Sequence, residues 1–402
     1  MARPFVVIAC QSIDFFGDAA VCLRLAQGLV ARGAQVRILA DTRALNHLEG
    51  MEPCYAQEGI NGFDKDAALG YWAFDTLAQA GHGLPLHRTD LFLEAFQMQP
   101  PRVVLSQLPQ STVRYLVDYL AIEDWTSSCQ GLLAPDPQSA QTPRIWLTPS
   151  LRPEGPGLIQ GDRAVVFASW SQAQRRAVRR SMVGDYDEAS VLLVFAYCYA
   201  DTNLMDFQSA LDQALEEVKR DCINTVDTET RRALLGFERV VVFEPSQTGD
   251  SCFLNQQAFD QCMAAADLSL VRGEDSLGSA FFCASRFRLP FAWQPYRQEA
   301  GAHLQKLHAW LAQSSRHGPK HFSQNNARDP ITQVWSQLHR GLSPEPLEPA
   351  GSTDWLAILR PLLMHWQAFC DFCQLVGQAH YGQPFFEESL LRHWSGKPQD
   401  SR

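Results

Sequence analysis

The sequence is short of basic charge: 34 Lys and Arg stand against 44 Asp and Glu over 402 residues, a formal net charge of −10. That balance excludes a general nucleic-acid binder, whose phosphate-facing surface is basic. Long apolar runs are also missing. No stretch reaches the roughly 20 consecutive apolar residues of a spanning helix, so no membrane partner is expected. The apolar run near the N-terminus is cut at Asp14 and has no small-residue cleavage site, which argues against a secretory leader. The eleven cysteines are odd in number and scattered through apolar segments such as Val6 to Cys10, a usage that fits buried thiols in a reducing cytoplasm. Cys370 and Cys373, with His365 and His380 nearby, lack the second spaced pair of a zinc site and sit in a helical apolar pattern. His303, Lys306 and His308 share one helix without a metal motif, and no metal or other cofactor is expected. No G-x-G-x-x-G fingerprint is present; Gly81-His82-Gly83 lacks its third glycine and following helix, which counts against a dinucleotide-dependent dehydrogenase.

What is present is a strand–helix alternation. Phe5 to Cys10 reads as a buried strand, Asp18 to Arg32 as a helix stopped by Gly33, and Val36 to Ala40 as the next strand. Further strands are expected at Leu91–Phe96, Val103–Leu108 and Val113–Tyr119. The stretch Asp136 to Asp162, rich in Pro, Gly, Ser and Gln, reads as a long loop before a basic helix at Gln172–Met182. A second series follows: strand Val191–Tyr199, helix Leu204–Arg220, strand Arg239–Phe243, helix Gln257–Ala266, strand Leu268–Val271, helix Asp275–Ser285, strand Pro290–Trp293 and helix Glu299–Ala312. Asn325 to Ser352 reads as a polar connection and Trp355 to Tyr381 as one helix. The length and the two series predict an α/β protein of two doubly wound, Rossmann-like domains facing across a cleft. The first is expected over residues 1–185, joined by a C-terminal helix at about 365–402; the second spans 186–364.

In such sheets ligands bind at the carboxyl ends of the strands. After the first strand, Ile13-Asp14-Phe15-Phe16-Gly17-Asp18 holds two carboxylates, suited to proton abstraction or to orienting a cation and unsuited to phosphate. The plainer alternative is that Asp18 caps the helix and Asp14 makes a turn. Arg272-Gly273-Glu274-Asp275-Ser276 follows the strand Leu268–Val271 and opens a helix. There Gly273 permits close backbone approach, and the amides near Asp275 and Ser276, with the serine hydroxyl, form an anion site suited to a diphosphate. Glu274 is placed to accept from sugar or ribose hydroxyls, and Arg272 to neutralise phosphate or brace the loop. The alternative there is an ordinary capped helix with a surface Arg–Glu pair. Phe253, Gln256 and Phe259 form a third cluster able to sandwich and read a pyrimidine, or simply a pair of core phenylalanines with an amide between.

Taken in order, the loop Asp14–Asp18, then DYLAIEDW, FAYCY, FLNQQAFDQCMAAADLSLVRGEDS and PFAWQPYRQEAGAHLQKLHAWL resemble the elongation factor P arginine rhamnosyltransferases. The resemblance runs over about residues 5–311 and is most specific at Arg272–Ser276 followed by Trp293, Tyr296, Gln298, His303 and Leu304. It implies a GT-B glycosyltransferase, inverting and metal-independent, that moves L-rhamnose from the nucleotide sugar dTDP-β-L-rhamnose onto an arginine of elongation factor P. It implies catalytic roles for Asp14, Asp18 and Glu274, and donor contacts from Tyr197, Phe253, Gln256, Phe259, Asp275 and Ser276. The chain departs from the family pattern at Phe15 (usually Asn), Asn255 (usually Pro), Ser279 (usually Arg), Asp118–Glu123 and Pro149-Ser150-Leu151 (usually Pro-Gly-Phe). These departures leave open a different nucleotide sugar or acceptor, or a non-catalytic paralogue that grips elongation factor P.

Overall fold

The structure is a computed structural model that describes residues 3–11, 17–40, 68–73, 84–96, 98–136, 144–221, 226–245, 254–297, 301–315, 330–343 and 353–396. Along the chain the elements are β1 (Phe5–Cys10), α1 (Gly17–Ala31), β2 (Gln35–Ala40), β3 (Leu69–Ala73), β4 (Leu91–Ala95), α2 (Arg102–Leu105), β5 (Val113–Val117), β6 (Leu133–Ala134), β7 (Arg144–Trp146), α3 (Arg163–Val166), α4 (Gln172–Val183) and β8 (Val191–Ala196). They continue as α5 (Leu204–Asp221), α6 (Thr228–Leu235), β9 (Arg239–Phe243), α7 (Gln256–Ala265), β10 (Leu268–Arg272), α8 (Glu274–Phe287), β11 (Phe291–Gln294), α9 (Ala302–Ser314), α10 (Pro330–Leu342), α11 (Trp355–Met364), α12 (Trp366–Tyr381) and α13 (Phe386–Ser395). Two compact units result: Met1–Val165 with Gln383–Arg402, and Val166–Gly382.

The first unit carries a seven-stranded sheet of order β3-β2-β1-β4-β5-β7-β6, parallel except for β6 on β7. β1 is buried along its whole length because strands flank it on both edges and helices or loops cover both faces, as its unbroken apolar run anticipated. Val6, Ile8 and Cys10 pack with Cys22, Leu25, Ala26 and Leu29 of α1, while Val7 and Ala9 pack on the other face with Phe92 and Val104. Toward β5 and β7 the sheet changes character. Glu94 is fully buried and receives the Arg114 guanidinium through Oε1 and Arg144 through Oε2 at 3.0 Å, and Arg114 also reaches Asp136 at 2.6 Å. Burial pushes the Glu94 carboxyl up, against the pull of the two arginines. α13 completes this unit: Phe386 and Leu390 enter the core, and the buried Glu387 accepts from the Gly161 amide at 2.9 Å. A Cβ added at Gly28 would overlap Glu387 Oε1, so a larger residue there would force that buried carboxylate to move.

The second unit has a four-stranded parallel sheet, β11-β10-β8-β9. α4 belongs to it because Arg179 donates to the Ala265 and Val191 carbonyls and pairs with Asp267 at 2.9 Å, with Arg175 on the same carboxylate. The first unit therefore ends at Val165, earlier than the expected 185. α12 also stays in the second unit, and the return to the first begins at Gln383 instead of about 365. Gly377 of α12 lies so close to the Phe281 carbonyl and Ser285 amide of α8 that an added Cβ would sit 2.7 Å from each.

Four local expectations are corrected. Val103–Leu108 is a short helix and turn, not a strand: β5 already pairs with β4 on that edge, and the run after Pro101 serves as the crossover. The stretch 136–162 contains β7, too short to show a period. The stretch 325–352 contains α10, whose Ile331, Val334, Trp335, Leu338 and Leu342 bury one face. The helix expected from Trp355 to Tyr381 is broken at His365, past Pro361, which supplies no amide to the helix ladder. Cys370 and Cys373 lie buried in α12, where burial raises both thiols, Cys370 to about 12. Among the described residues no helix is long and apolar enough to cross a membrane.

Candidate functional site

Strand order locates the binding surfaces. In the second unit the chain order of strands runs 2-1-3-4 from β9 to β11, so the direction of winding reverses between β8 and β10; ligands bind at the carboxyl ends of such a pair. β10 ends at Arg272, and Gly273 turns the chain into α8 with φ 74° and ψ −171°. Nothing lies within 4 Å of a Cβ added there, so the backbone conformation is what demands glycine. Gly273 also N-caps α8 without a side chain, which leaves the first amides of the helix uncovered by a capping group. The turn is pinned from β11: Trp293 Nε1 donates to the Gly273 carbonyl at 2.7 Å, and the Gly273 amide donates to the Gln294 carbonyl at 3.1 Å.

The two acids opening α8 sit where the helix dipole favours them but would repel a phosphate. Glu274 is neutralised by Lys306 of α9, with Nζ 2.6 Å from Oε1. Ser276 is buried, its hydroxyl donating back to the Arg272 carbonyl. Arg272 is braced by β8's continuation: its guanidinium lies 4.6 Å from the Tyr197 ring centroid and 4.9 Å from that of Tyr199, and it donates to the Cys198 carbonyl at 3.3 Å. Tyr197 in turn meets Phe259 edge-on, centroids 5.1 Å apart, and Phe259 meets Phe195 the same way at 5.0 Å. Phe259 and Gln256 are half-buried on α7. The structure thus gathers Tyr197, Phe259, Arg272, Gly273, Glu274, Asp275 and Ser276 at the ends of β8 and β10, with Gln256 on α7; Phe253 lies outside the described residues. Sequence reasoning missed Lys306, Tyr199 and Arg297. Arg297 pairs with Asp201 at 2.6 Å, and that hydrogen bond and charge hold the Asp201 carboxyl below its usual range.

In the first unit the winding reverses between β1 and β4. Asp14 and Phe15 lie outside the described residues. Asp18 is buried in the first turn of α1, where it accepts the Tyr119 hydroxyl at 3.1 Å. Tyr119 stacks on Phe96 with centroids 4.7 Å apart. Asp18 is therefore a held carboxylate in the first turn of α1, with the aromatic pair beside it.

The departures at Asn255, Ser279 and Ser150-Leu151 have structural accounts. Asn255 N-caps α7, its side chain accepting from the Ala258 amide at 2.8 Å. Ser279 is buried, and its hydroxyl donates to Asp260 of α7 at 2.6 Å and lies 3.5 Å from the Asp275 carbonyl. Ser150 and Leu151 are buried beside Ala121, to which Ser150 bridges in parallel; the Leu151 amide donates to the Ala121 carbonyl at 3.0 Å.

A family model described as Elongation-Factor P (EF-P) rhamnosyltransferase EarP matches residues 6–375. A protein-arginine rhamnosyltransferase of Pseudomonas putida is 26% identical over 324 residues, 76% of this chain and 80% of the relative. One from Shewanella oneidensis is 27% identical over 390 residues, 89% and 91% of the two chains. A solved structure described as the structural basis for EarP-mediated arginine glycosylation of translation elongation factor EF-P superposes with a TM-score of 0.53 at 18% identity, covering 98% of this chain and 100% of that one, which supports the fold. On these matches, and on two Rossmann-like units of the GT-B class, the chain belongs to the elongation factor P rhamnosyltransferase family.

Proposed function

We propose that the protein is a protein-arginine rhamnosyltransferase that moves L-rhamnose, with inversion, from dTDP-β-L-rhamnose to an arginine of elongation factor P. The observation that carries the reading is the Arg272–Ser276 turn opening α8 beside β8, in a chain whose family model spans residues 6–375. The diphosphate would lie against the uncapped amides of α8, with Ser276 exchanging its backbone acceptor for a phosphate oxygen. The dipole of α8 and Arg272 would then stabilise the charge that grows on the leaving dTDP, without a metal. The thymine would stack near Phe259, with Gln256 and Phe253 as neighbours along the chain.

The acceptor guanidinium has a pKa above about 12, so a lone carboxylate does not deprotonate it at rest. Paired carboxylates at Asp14 and Asp18 would hold the fork and localise its electrons. As the nitrogen–carbon bond forms and the anomeric carbon–phosphate bond breaks, the proton passes to Asp14. Asp18, buried and held by Tyr119, suits the orienting part, and Glu274, charge-paired with Lys306, suits a fixed hydrogen-bond acceptor for donor hydroxyls.

The test is intact-mass analysis of the host's elongation factor P after incubation with the protein and dTDP-rhamnose. One added deoxyhexose, absent when the acceptor arginine is replaced by lysine, is the expected result. Gain only with another nucleotide sugar would reassign the donor, and binding of elongation factor P with no gain from any sugar would make the protein a binder.

A further inference from the structure

Beyond the Arg272 turn, a second guanidinium stands at the same strand ends. Arg297 follows β11, and its guanidinium carbon lies 4.5 Å from the Tyr199 ring centroid; Arg272 lies 4.9 Å from the same centroid. The Tyr199 hydroxyl accepts from the Arg297 amide at 2.9 Å, and its own amide donates to the buried Gln294 side chain at 3.0 Å. The ring is thus fixed from both ends, and it gathers two cations that would otherwise repel each other. Tyrosine faces attract guanidinium, which offsets part of that repulsion. Arg297 is balanced by Asp201 at 2.6 Å, a pair with 42% and 64% of the two side chains exposed. An exposed carboxylate on a guanidinium is a weak, exchangeable partner, and a phosphoryl group with more charge and a matching fork displaces it readily.

We propose that Arg297 is a specificity-determining residue that reads the second phosphate of a nucleoside diphosphate, with Asp201 as its exchangeable counter-ion when the donor is absent. The inference rests on the donor reading of the β10–α8 turn. In it Arg272, braced by Tyr197 and Cys198, serves the phosphate at the helix end, while Arg297 supplies the extra charge that separates a diphosphate from a monophosphate. Tyr199 holds both guanidiniums against one ring, which places the second positive charge beside the first.

The experiment measures dTMP and dTDP binding to the full-length protein by calorimetry, for the parent, Arg297→Gln and Asp201→Asn, each at low and high salt. The parent should prefer dTDP. Arg297→Gln should lose roughly five- to tenfold of that preference, with little change for dTMP, and show a shallower salt dependence. Asp201→Asn, which removes the competitor, should tighten dTDP binding about two- to threefold. An Arg297→Gln protein with the parental preference, or an Asp201→Asn protein with weaker dTDP binding, overturns the role of Arg297 and leaves the donor reading standing. A parent that binds neither nucleotide overturns the donor reading and this inference with it.

Discussion

Lys306 and Glu274 come from helices more than a turn of sheet apart in sequence, yet their charged ends meet at 2.6 Å with little of either side chain exposed, 10% and 14%. On the proposed donor reading, this pair lets an acidic residue open α8 where the diphosphate would lie. Removing one partner strands the other, whereas removing both charges need not cost stability. Lys306→Met should therefore destabilise the protein by about 3 kcal/mol. The double variant Lys306→Met/Glu274→Gln should recover most of that loss yet stay inactive. Additive losses in chemical denaturation would show that the two residues are not an energetic unit.

Gly273 and Gly184 both have positive φ with open space where a Cβ would go, at 74° and 64°. Gly273→Ala and Gly184→Ala should each cost about 1–3 kcal/mol of stability from backbone strain. Only Gly273→Ala should also weaken dTDP binding, because the strain relaxes by moving the first amides of α8. Equal dTDP affinity in the two variants would place the nucleotide elsewhere.

Phe259 touches Phe195 and Tyr197 by edges, at interplanar angles of 90° and 85°. If it stacks a base, Phe259→Ala should weaken dTDP binding by about 1–3 kcal/mol. Phe259→Tyr, which keeps the ring, should bind nearly as the parent does. A parental dissociation constant for the alanine variant would make Phe259 a packing residue only.

His339 supplies a pH dependence in the second unit. It is fully buried between helices, its Nδ1 at 2.9 Å from the Trp335 carbonyl, and the Trp310 indole N–H points at its Nε2 at 3.4 Å. The indole bond needs a bare Nε2, so the proton sits on Nδ1 and a second one has no place. Burial accordingly lowers the group from 6.5 to about 4. Between those values the unfolded chain takes up a proton that the folded chain refuses, so stability is present above pH 6.5 and lost as pH falls toward 4. At 1.36 kcal/mol per unit the loss approaches about 3 kcal/mol. Urea denaturation from pH 7.5 to 4.5 should show that slope, and His339→Gln should flatten it. An equal slope in the variant would assign the loss to other groups.

Much of the architecture is written in local patterns. β1 and α1 show their periods because a strand buried on both faces needs an unbroken apolar run, and a helix on a sheet needs one apolar stripe. The turn at Gly273 is legible for the same reason: strand, glycine, acid, serine and helix follow one another within a few residues. Reading 325–352 as a polar connection misses α10, although Ile331, Val334, Trp335, Leu338 and Leu342 fall at helical spacing, because the polar and proline-bearing flanks mask a helix of only 13 residues. By contrast, Val103–Leu108 is a short run with no period to separate strand from helix, and its fate depended on β5 taking the sheet edge first.

The sequence by itself determined the strand–helix alternation, the acidic loop after β1, the glycine turn after β10 and the family resemblance, since each resides in residues adjacent along the chain. Only the tertiary structure decided that Tyr119 holds Asp18, that Lys306 neutralises Glu274, that Ser279 answers to Asp260, and that Tyr199 draws Arg272 and Arg297 to one ring. Those pairings follow from which strand ends the crossovers bring side by side. Side-chain charges and rings act over a few ångströms of space whatever their separation along the chain, so no local period announces them.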